Sequence, residues 1–148
     1  MRIVLLDHEL YRLGLRRVLE AFPDCEVVGE AGTARDAFEV IAALCPDVVV
    51  VDTVLRGLRS ASAIRKIQRC APGVRVLVLT EHGSIRDVAV AMAAGAGGYA
   101  LKGESIDEIR YAVHRVHLGR LYLSPALDSD RDPTFDHTRA TTSQEMPG

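Results

Sequence analysis

The chain has 148 residues, which suits one globular domain, with or without a tail, and allows a sizeable core without disulfide bonds. Hydrophobic residues make up 48% and charged residues 26%, which argues against disorder over the whole chain, and a net charge of -2 gives no basic field for nucleic acid or anionic lipid. No apolar run approaches the roughly 20 residues that cross a bilayer and no secretory signal pattern is present, so we expect a cytoplasmic protein without a membrane partner.

Short apolar runs rich in β-branched residues alternate with segments of helical spacing along the chain. In chain order, the first half predicts a strand at Ile3–Leu6, a helix at Leu10–Phe22, a strand at Glu26–Gly29, a helix over Ala37–Leu44 stopped by Pro46, and a strand at Val48–Val51. The second half predicts a helix at Ser60–Cys70, a strand at Val74–Leu79, a helix capped by Ser84 and ended by Gly95, a strand at Gly98–Leu101, and a helix opened by a Ser105/Glu108 capping box and ended by Gly119. Because parallel strands need crossover connections and helices supply them, this alternation predicts an α/β, doubly wound, five-stranded parallel sheet.

The chain changes character after Pro125. Residues 124–148 carry five acids and two bases, a net charge of -3, with Pro, Ser and Thr between them and no apolar period. Since the whole chain carries -2, residues 1–123 carry +1. We therefore expect a domain over residues 1–123 and a flexible acidic linker or tail over 124–148.

Polar residues follow four of the predicted strands. Asp7 follows the first strand, Asp52 the third, Thr80 the fourth and Lys102 the fifth. Ligands of open parallel sheets bind beyond the carboxyl ends of the strands, so these four side chains are expected to converge on one rim. Lys102 is one of two lysines in a chain with 18 basic residues, and arginine does not replace a compact point charge well.

This set of side chains suits phosphoryl transfer to a carboxylate. Two nearby aspartates repel each other, and a hard divalent cation such as Mg²⁺ relieves the repulsion. One carboxylate can then attack a phosphoryl donor, while a lysine ammonium neutralises charge on the transferred group and a threonine hydroxyl donates to it. Taken singly, each residue also has a structural explanation: Thr80 as a strand former, Asp7 as a helix cap and Lys102 as a solvated charge.

Other site classes find less support in the sequence. The three cysteines form no C-x-x-C pair, and no G-x-G-x-x-G follows the first strand, which disfavours a disulfide framework, a zinc site and a dinucleotide site. His8, His114 and His117 do not stand at metal spacing with Cys or Glu, and we expect the pair on the last helix to face solvent or to serve packing.

Several stretches together resemble the response-regulator receiver domains of the NarL/LuxR class over about residues 1–125. They are RIVLLDHELYRLGLRRVLE, VVGEAGTARDAFE, PDVVVVDTVLRG, VRVLVLT, AGAGGYALKGES and the closing LYLSP. The resemblance implies a CheY-like (βα)5 fold, a flavodoxin-like three-layer sandwich. It also implies that the chain is not an enzyme.

The resemblance also assigns roles to the residues at the rim. Asp52 would be the phosphoacceptor, and Asp7, Asp52 and the backbone carbonyl of Val54 would bind Mg²⁺. Thr80 and Tyr99 match the switch pair of the family, in which the aromatic ring follows the hydroxyl inward. Lys102 matches the lysine that contacts the phosphoryl group.

Four positions depart from the family pattern. Leu6 stands where the family has a first acid that holds the metal through water, so Mg²⁺ binding is expected to be weakened or absent. Arg56 replaces a usual Pro, and Ser60 a usual Gly. Glu81 follows Thr80 where a small residue is common, and it either repels an incoming donor or lends the metal an oxygen.

The implied function is that of a receiver that accepts a phosphoryl group on Asp52 from a sensor histidine kinase. The family appends a helix-turn-helix effector domain, so we expect a transcription regulator that forms a homodimer and contacts DNA only through an effector domain absent from this chain. The alternative is an atypical receiver that acts as a phosphorylation-independent dimerisation or interaction module.

Overall fold

The computed structural model of the chain describes residues 1–53 and 60–128, and in this part the fold is a parallel sheet of six strands covered by five helices. The strands are β1 (Arg2–Leu6), β2 (Glu26–Ala31), β3 (Val48–Val51), β4 (Arg75–Thr80), β5 (Gly98–Leu101) and β6 (Tyr122–Leu123). The helices are α1 (Glu9–Glu20), α2 (Ala34–Leu44), α3 (Ser60–Cys70), α4 (Ile85–Ala94) and α5 (Ile106–His117), followed by a 3₁₀ turn over Pro125–Asp128. The strand order β2-β1-β3-β4-β5-β6 confirms the doubly wound topology.

The central strands are buried on both faces, as their continuous apolar sequences predict. Val49 and Val51 of β3 face one half of the core, to which α2, α3 and α4 contribute, for example through Ile41 and Ile64. The intervening valines of β3 face the other half, which α1 and α5 cover. The predicted three-layer sandwich is therefore confirmed.

The helix starts follow the predicted caps. The Ser84 side chain accepts from the amide of Asp87 at 3.0 Å, and the Asp87 carboxylate accepts from the amide of Ser84 at 3.1 Å, which closes a capping box at α4. At α5 the Ser105 hydroxyl accepts from the amide of Glu108, but the Glu108 carboxylate accepts a 2.7 Å hydrogen bond from the hydroxyl of Tyr122. The predicted partner in this second box therefore ties α5 to β6.

The sixth strand corrects the predicted count of five. Tyr122 pairs with Gly98 and Leu123 with Tyr99, and the amide of Ser124 donates to the Tyr99 carbonyl at 3.0 Å. A strand of two residues is too short to show a hydrophobic period in the sequence. This strand forms because the edge of β5 offers free backbone groups, rather than because of its own sequence.

Packing continues past residue 123, where the sequence predicts the domain to end. Ser124 is 3% exposed, and Leu127 belongs to the core beneath α4. The hydroxyl of Ser124 donates a hydrogen bond to the Glu104 carboxylate. Residues 129–148 of the predicted linker lie outside the described residues.

Candidate functional site

Four neighbouring strands place the predicted site residues at one edge of the sheet. Asp7 follows β1, Asp52 follows β3, Thr80 ends β4 and Lys102 follows β5. Because β1, β3, β4 and β5 are adjacent and parallel, their carboxyl ends lie side by side. The structure therefore brings together the four residues that the sequence selected.

Lys102 joins the two aspartates. Its Nζ lies 2.7 Å from Oδ2 of Asp52 and 2.9 Å from Oδ2 of Asp7. Both carboxylates are almost wholly buried, at 2% and 3% exposure of the residue. Two acids and one ammonium thus share a site with little water, where electrostatic interactions are stronger than at the surface.

Burial and pairing act on these groups in opposite directions. Burial raises the pKa of Asp7, and the hydrogen bond from Lys102 opposes this rise only in part. Burial would lower the pKa of Lys102, but its hydrogen bonds to Asp52 and Asp7 outweigh burial and raise that pKa above the ordinary value. The ammonium is therefore held in its charged form by the two carboxylates.

Two side chains of α1 support this arrangement, and the sequence analysis missed both. The ring of Tyr11 lies with its centroid 4.0 Å from Nζ of Lys102. Arg12 donates from Nε to the backbone carbonyl of Asp7 at 2.9 Å and forms an ion pair with Glu30 of β2 at 3.2 Å. The only signal in the sequence is their spacing from Asp7, because four or five residues span about one turn of a helix that starts at the rim.

The predicted switch pair lies in the same region. Thr80 is 3% exposed and its Oγ1 accepts a 3.2 Å hydrogen bond from the hydroxyl of Thr53. Tyr99 is 1% exposed, and burial, with the charges of Asp87 and Asp52, raises its pKa to about 12. Its ring packs on the backbone of Gly83, where a Cβ would lie only 2.5 Å from Cε1 of the ring. The inward position of Tyr99 therefore depends on glycine at residue 83.

A cleft of about 670 Å³ opens over Asp52, Thr80 and Lys102. Glu81 lines it and is exposed, so a third carboxylate stands at the entrance. Arg86 of α4 also lines the cleft and adds a positive charge to its wall. The cleft therefore opens a route from solvent to the buried carboxylate of Asp52.

The remaining departures from the family pattern divide into two groups. Leu6 has a hydrocarbon side chain with no oxygen to offer to the site, and it is fully buried in the hydrophobic core. Val54 and Arg56 lie outside the described residues, as does the side chain of Ser60 at the start of α3. The predicted carbonyl ligand at Val54 therefore stays a prediction.

The donor set fits a hard divalent cation. Asp7 and Asp52 supply carboxylate oxygens from adjacent strand ends, which is the ligand type that Mg²⁺ takes, and Glu81 adds a further carboxylate at the cleft. In this structure the Lys102 ammonium contacts both buried aspartates, and its single positive charge offsets one of their two negative charges, which leaves room for a cation. With leucine at residue 6, the described residues provide one acid fewer than the family pattern.

A second polar cluster lies away from the cleft and corrects an expectation about His114. Its Nε2 lies 2.9 Å from Oδ2 of Asp24, and the thiol of Cys25 lies 3.7 Å from Oδ1 of the same aspartate. A histidine and a cysteine therefore do meet in space, although they are distant in sequence. Arg110 lies 3.6 Å from the Asp24 carboxylate, so a cation of the protein already faces this acid.

A family profile described as "Response regulator receiver domain" matches residues 3–114. The chain belongs to this family. Response regulator UvrY of Escherichia coli O6:H1 is 39% identical over 118 residues, which are 80% of this chain and 54% of that protein. The nitrate/nitrite response regulator protein NarL of Escherichia coli strain K12 is 29% identical over 140 residues, which are 95% of this chain and 65% of that protein.

A solved structure supports the same assignment. The crystal structure of a LuxR-family two-component response regulator from Aurantimonas sp. SI85-9A1 has a TM-score of 0.82 at 31% identity, covering 95% of this chain and 97% of that one. The resemblance to the NarL/LuxR class is thus confirmed. The chain spans about half the length of UvrY.

The family assignment carries general properties with it. The chain is a receiver domain of a two-component response regulator, a class of regulators whose receivers interact with sensor histidine kinases and generally bind Mg²⁺ in the acidic pocket. Among the described residues, no helix is both long enough and apolar enough to span a bilayer.

Proposed function

We propose that this receiver accepts a phosphoryl group on Asp52 from a phosphohistidine of a sensor kinase. The observation that carries the proposal is the convergence at the floor of the cleft, where Lys102 lies 2.7 Å from the carboxylate of Asp52. A buried carboxylate with a charged ammonium beside it and an open route to solvent is poised to attack an incoming phosphorus.

The transfer follows from this geometry. An oxygen of Asp52 attacks phosphorus, the bond between phosphorus and the donor nitrogen breaks, and the electron pair leaves with the imidazole of the kinase. The Lys102 ammonium then lies beside the oxygens of the phosphoryl group and neutralises part of their charge. Asp7, at 2.9 Å from Nζ of Lys102, keeps the ammonium at the strand ends while the charge on Asp52 changes.

Readout is proposed for Thr80 and Tyr99. The Thr80 hydroxyl, which now accepts from Thr53, would turn to donate to the phosphoryl group on Asp52. Tyr99 would then keep its inward position, for which the turned hydroxyl leaves room. This would bias α4, β5 and α5 toward one of two conformations. The two residues would thus couple the chemistry at the end of β3 to the edge of the sheet formed by β5 and β6.

Mg²⁺ is proposed to bind to Asp7, Asp52 and the carbonyl of Val54, and Glu81 is a further candidate ligand. When bound, the metal supplies positive charge next to the transferred oxygens. Because Leu6 replaces an acid, we propose that the affinity for Mg²⁺ is lower than in receivers with two adjacent acids. A fluorescence or calorimetric titration with Mg²⁺ alone measures it.

The output is proposed to be homodimerisation and control of DNA through an effector domain of the helix-turn-helix type. The support is that the relatives UvrY and NarL are longer than this chain, and that α4 and α5 carry exposed apolar side chains such as Ile85 and Tyr111. The alternative of a phosphorylation-independent interaction module finds no support in the relatives. Light scattering with and without a small phosphodonor tests the dimer.

The test of phosphorylation is mass spectrometry after incubation with a small phosphodonor such as acetyl phosphate and Mg²⁺. We expect one added phosphoryl group on the wild type and none on Asp52→Asn. Asp107→Asn is the matched control, because Asp107 is an exposed acid on α5. An adduct that survives in Asp52→Asn, or no adduct with any donor, would contradict the proposal.

A further inference from the structure

We propose that Tyr11 is a positioning residue that holds the ammonium of Lys102 against Asp52. The inference rests on the proposed phosphorylation of Asp52 and extends it to a residue on α1 that takes no part in the proposed transfer itself. The contact itself, however, can be tested without phosphorylation.

The surroundings of the ammonium are the first observation. Asp52 and Asp7 occupy two directions around Nζ of Lys102, at 2.7 and 2.9 Å, and the face of Tyr11 covers another at 4.0 Å. The Lys102 side chain is only 10% exposed. An aromatic face carries negative charge density, so in this dry place it stabilises the cation where water otherwise would.

The flexibility of lysine makes the contact important. A lysine side chain rotates about four bonds and loses much conformational freedom when it is fixed. The hydrogen bonds that the ammonium donates to the two carboxylates do not by themselves prevent it from following Asp7 away from Asp52. The Tyr11 ring, anchored on α1 and packed against the core beneath that helix, limits this motion from a third side.

The ring face, and not the hydroxyl, is the part of Tyr11 that the proposal needs. Tyr11→Phe keeps the face and is the conservative variant. Tyr11→Leu keeps apolar bulk and helix propensity but removes the aromatic face. A merely structural role in packing would make the two variants differ in stability but would leave Lys102 unaffected.

The chain offers an internal control for this experiment. It has two lysines, and Lys66 lies over the ring of Phe38 at 4.4 Å, far along the chain from Tyr11. Isotope labelling of lysine therefore gives two sets of side-chain NMR signals, each shifted by its own ring. We expect Tyr11→Leu to move the signals of Lys102 out of the ring-current field, Tyr11→Phe to keep them, and Lys66 to be unchanged in both.

Kinetics provide the second measurement. With acetyl phosphate and Mg²⁺, we expect Tyr11→Leu to lower the maximal phosphorylation rate by roughly 3- to 10-fold, leaving the half-saturating donor concentration unchanged, while Tyr11→Phe stays near the wild type. In a Lys102→Met background, adding Tyr11→Leu should change the residual rate by less than about twofold, because the ring acts through the ammonium.

The outcomes separate the two proposals. If the Lys102 signals do not move in Tyr11→Leu, the positioning role is overturned. It is also overturned if Tyr11→Leu lowers the phosphorylation rate as much in the Lys102→Met background as in the wild type. If the wild type is not phosphorylated by any donor, the proposed function fails, and the NMR shifts alone then establish or refute the contact.

Discussion

Replacing Gly83 by alanine is expected to displace the Tyr99 ring from its buried position. Gly83 is the buried residue of the otherwise exposed segment between β4 and α4, and its φ is not among the positive values of the described residues. The backbone therefore accepts alanine, and the effect arises from the added methyl group. That methyl would lie 2.5 Å from Cε1 and 2.8 Å from the hydroxyl oxygen of Tyr99.

The size of the effect follows from these contacts. Carbon atoms normally approach to about 3.5–4.0 Å, so ring and methyl have to separate by about 1 Å or more. Overpacking of this kind costs about 1–3 kcal/mol. If the ring instead turns outward, exposing about 100 Å² at about 25 cal/mol per Å² costs roughly 2.5 kcal/mol. Either route lowers the free energy of unfolding by about 1–3 kcal/mol.

Urea unfolding monitored by circular dichroism measures the change. Gly14→Ala is the matched control, because Gly14 lies inside α1 and an added Cβ would meet nothing within 4 Å. This second variant is expected to stabilise the chain by about 0.5–1 kcal/mol. In a Tyr99→Ala background the penalty of Gly83→Ala should disappear, because the ring that the methyl meets is gone.

The reasoning is refuted if Gly83→Ala unfolds at the wild-type urea concentration while the hydroxyl of Tyr99 still titrates as a buried phenol. A penalty that persists in Tyr99→Ala would refute it as well, since the methyl group would then clash with another part of the turn.

Three further predictions concern other parts of the structure. Because burial raises the pKa of Tyr99 to about 12, the folded chain holds this proton more tightly than the unfolded chain, and the resulting stabilisation is present below pH 10 and lost as the pH rises toward 12. Tyr11 and Tyr122 also have raised pKa values, so the contribution of Tyr99 is measured as a difference: between pH 9 and 12 the free energy of unfolding of the wild type should fall by roughly 2–3 kcal/mol more than that of Tyr99→Phe, and an equal fall in both would contradict the burial of this phenol. Tyr122→Phe removes the 2.7 Å hydrogen bond to Glu108 and should lower the free energy of unfolding by about 1 kcal/mol and speed amide exchange in β6; unchanged exchange would show that this bond does not hold the strand. Leu6→Asp should tighten Mg²⁺ binding in a calorimetric titration, because it restores the missing acid. It should also destabilise the fold by about 3 kcal/mol or more, because it places a charge at a fully buried position. An Mg²⁺ affinity equal to that of the wild type would exclude the missing acid as a cause of weak binding.

The main features of the site could be predicted from the sequence because they depend on strand ends. Asp7 and Asp52 follow continuous apolar strands, and a parallel sheet puts such ends at one edge regardless of the details of packing. The distances from Lys102 to both carboxylates then follow from the adjacency of β1 and β3 and the nearby end of β5. The resemblance to NarL/LuxR receivers added the switch pair to this set.

Contacts made by side chains across elements could not be predicted in the same way. Tyr11 reads in the sequence as one more position of an amphipathic helix, yet its ring lies on Lys102. Gly83 reads as a loop residue, yet it is the surface on which Tyr99 packs. His114 and Asp24 are separated by most of the chain and meet only because α5 lies beside the turn before β2.

The sequence by itself determined the alternation of strands and helices, the doubly wound sheet and the identity of the residues at its edge, because hydrophobic period and strand ends are local properties of the chain. The tertiary structure alone decided the pairing of β6, the burial of Leu127 beyond the predicted domain end, and the aromatic and glycine contacts around Lys102 and Tyr99. These features depend on which surfaces meet when the layers pack, and the energy of such contacts belongs to pairs of distant residues rather than to either residue alone.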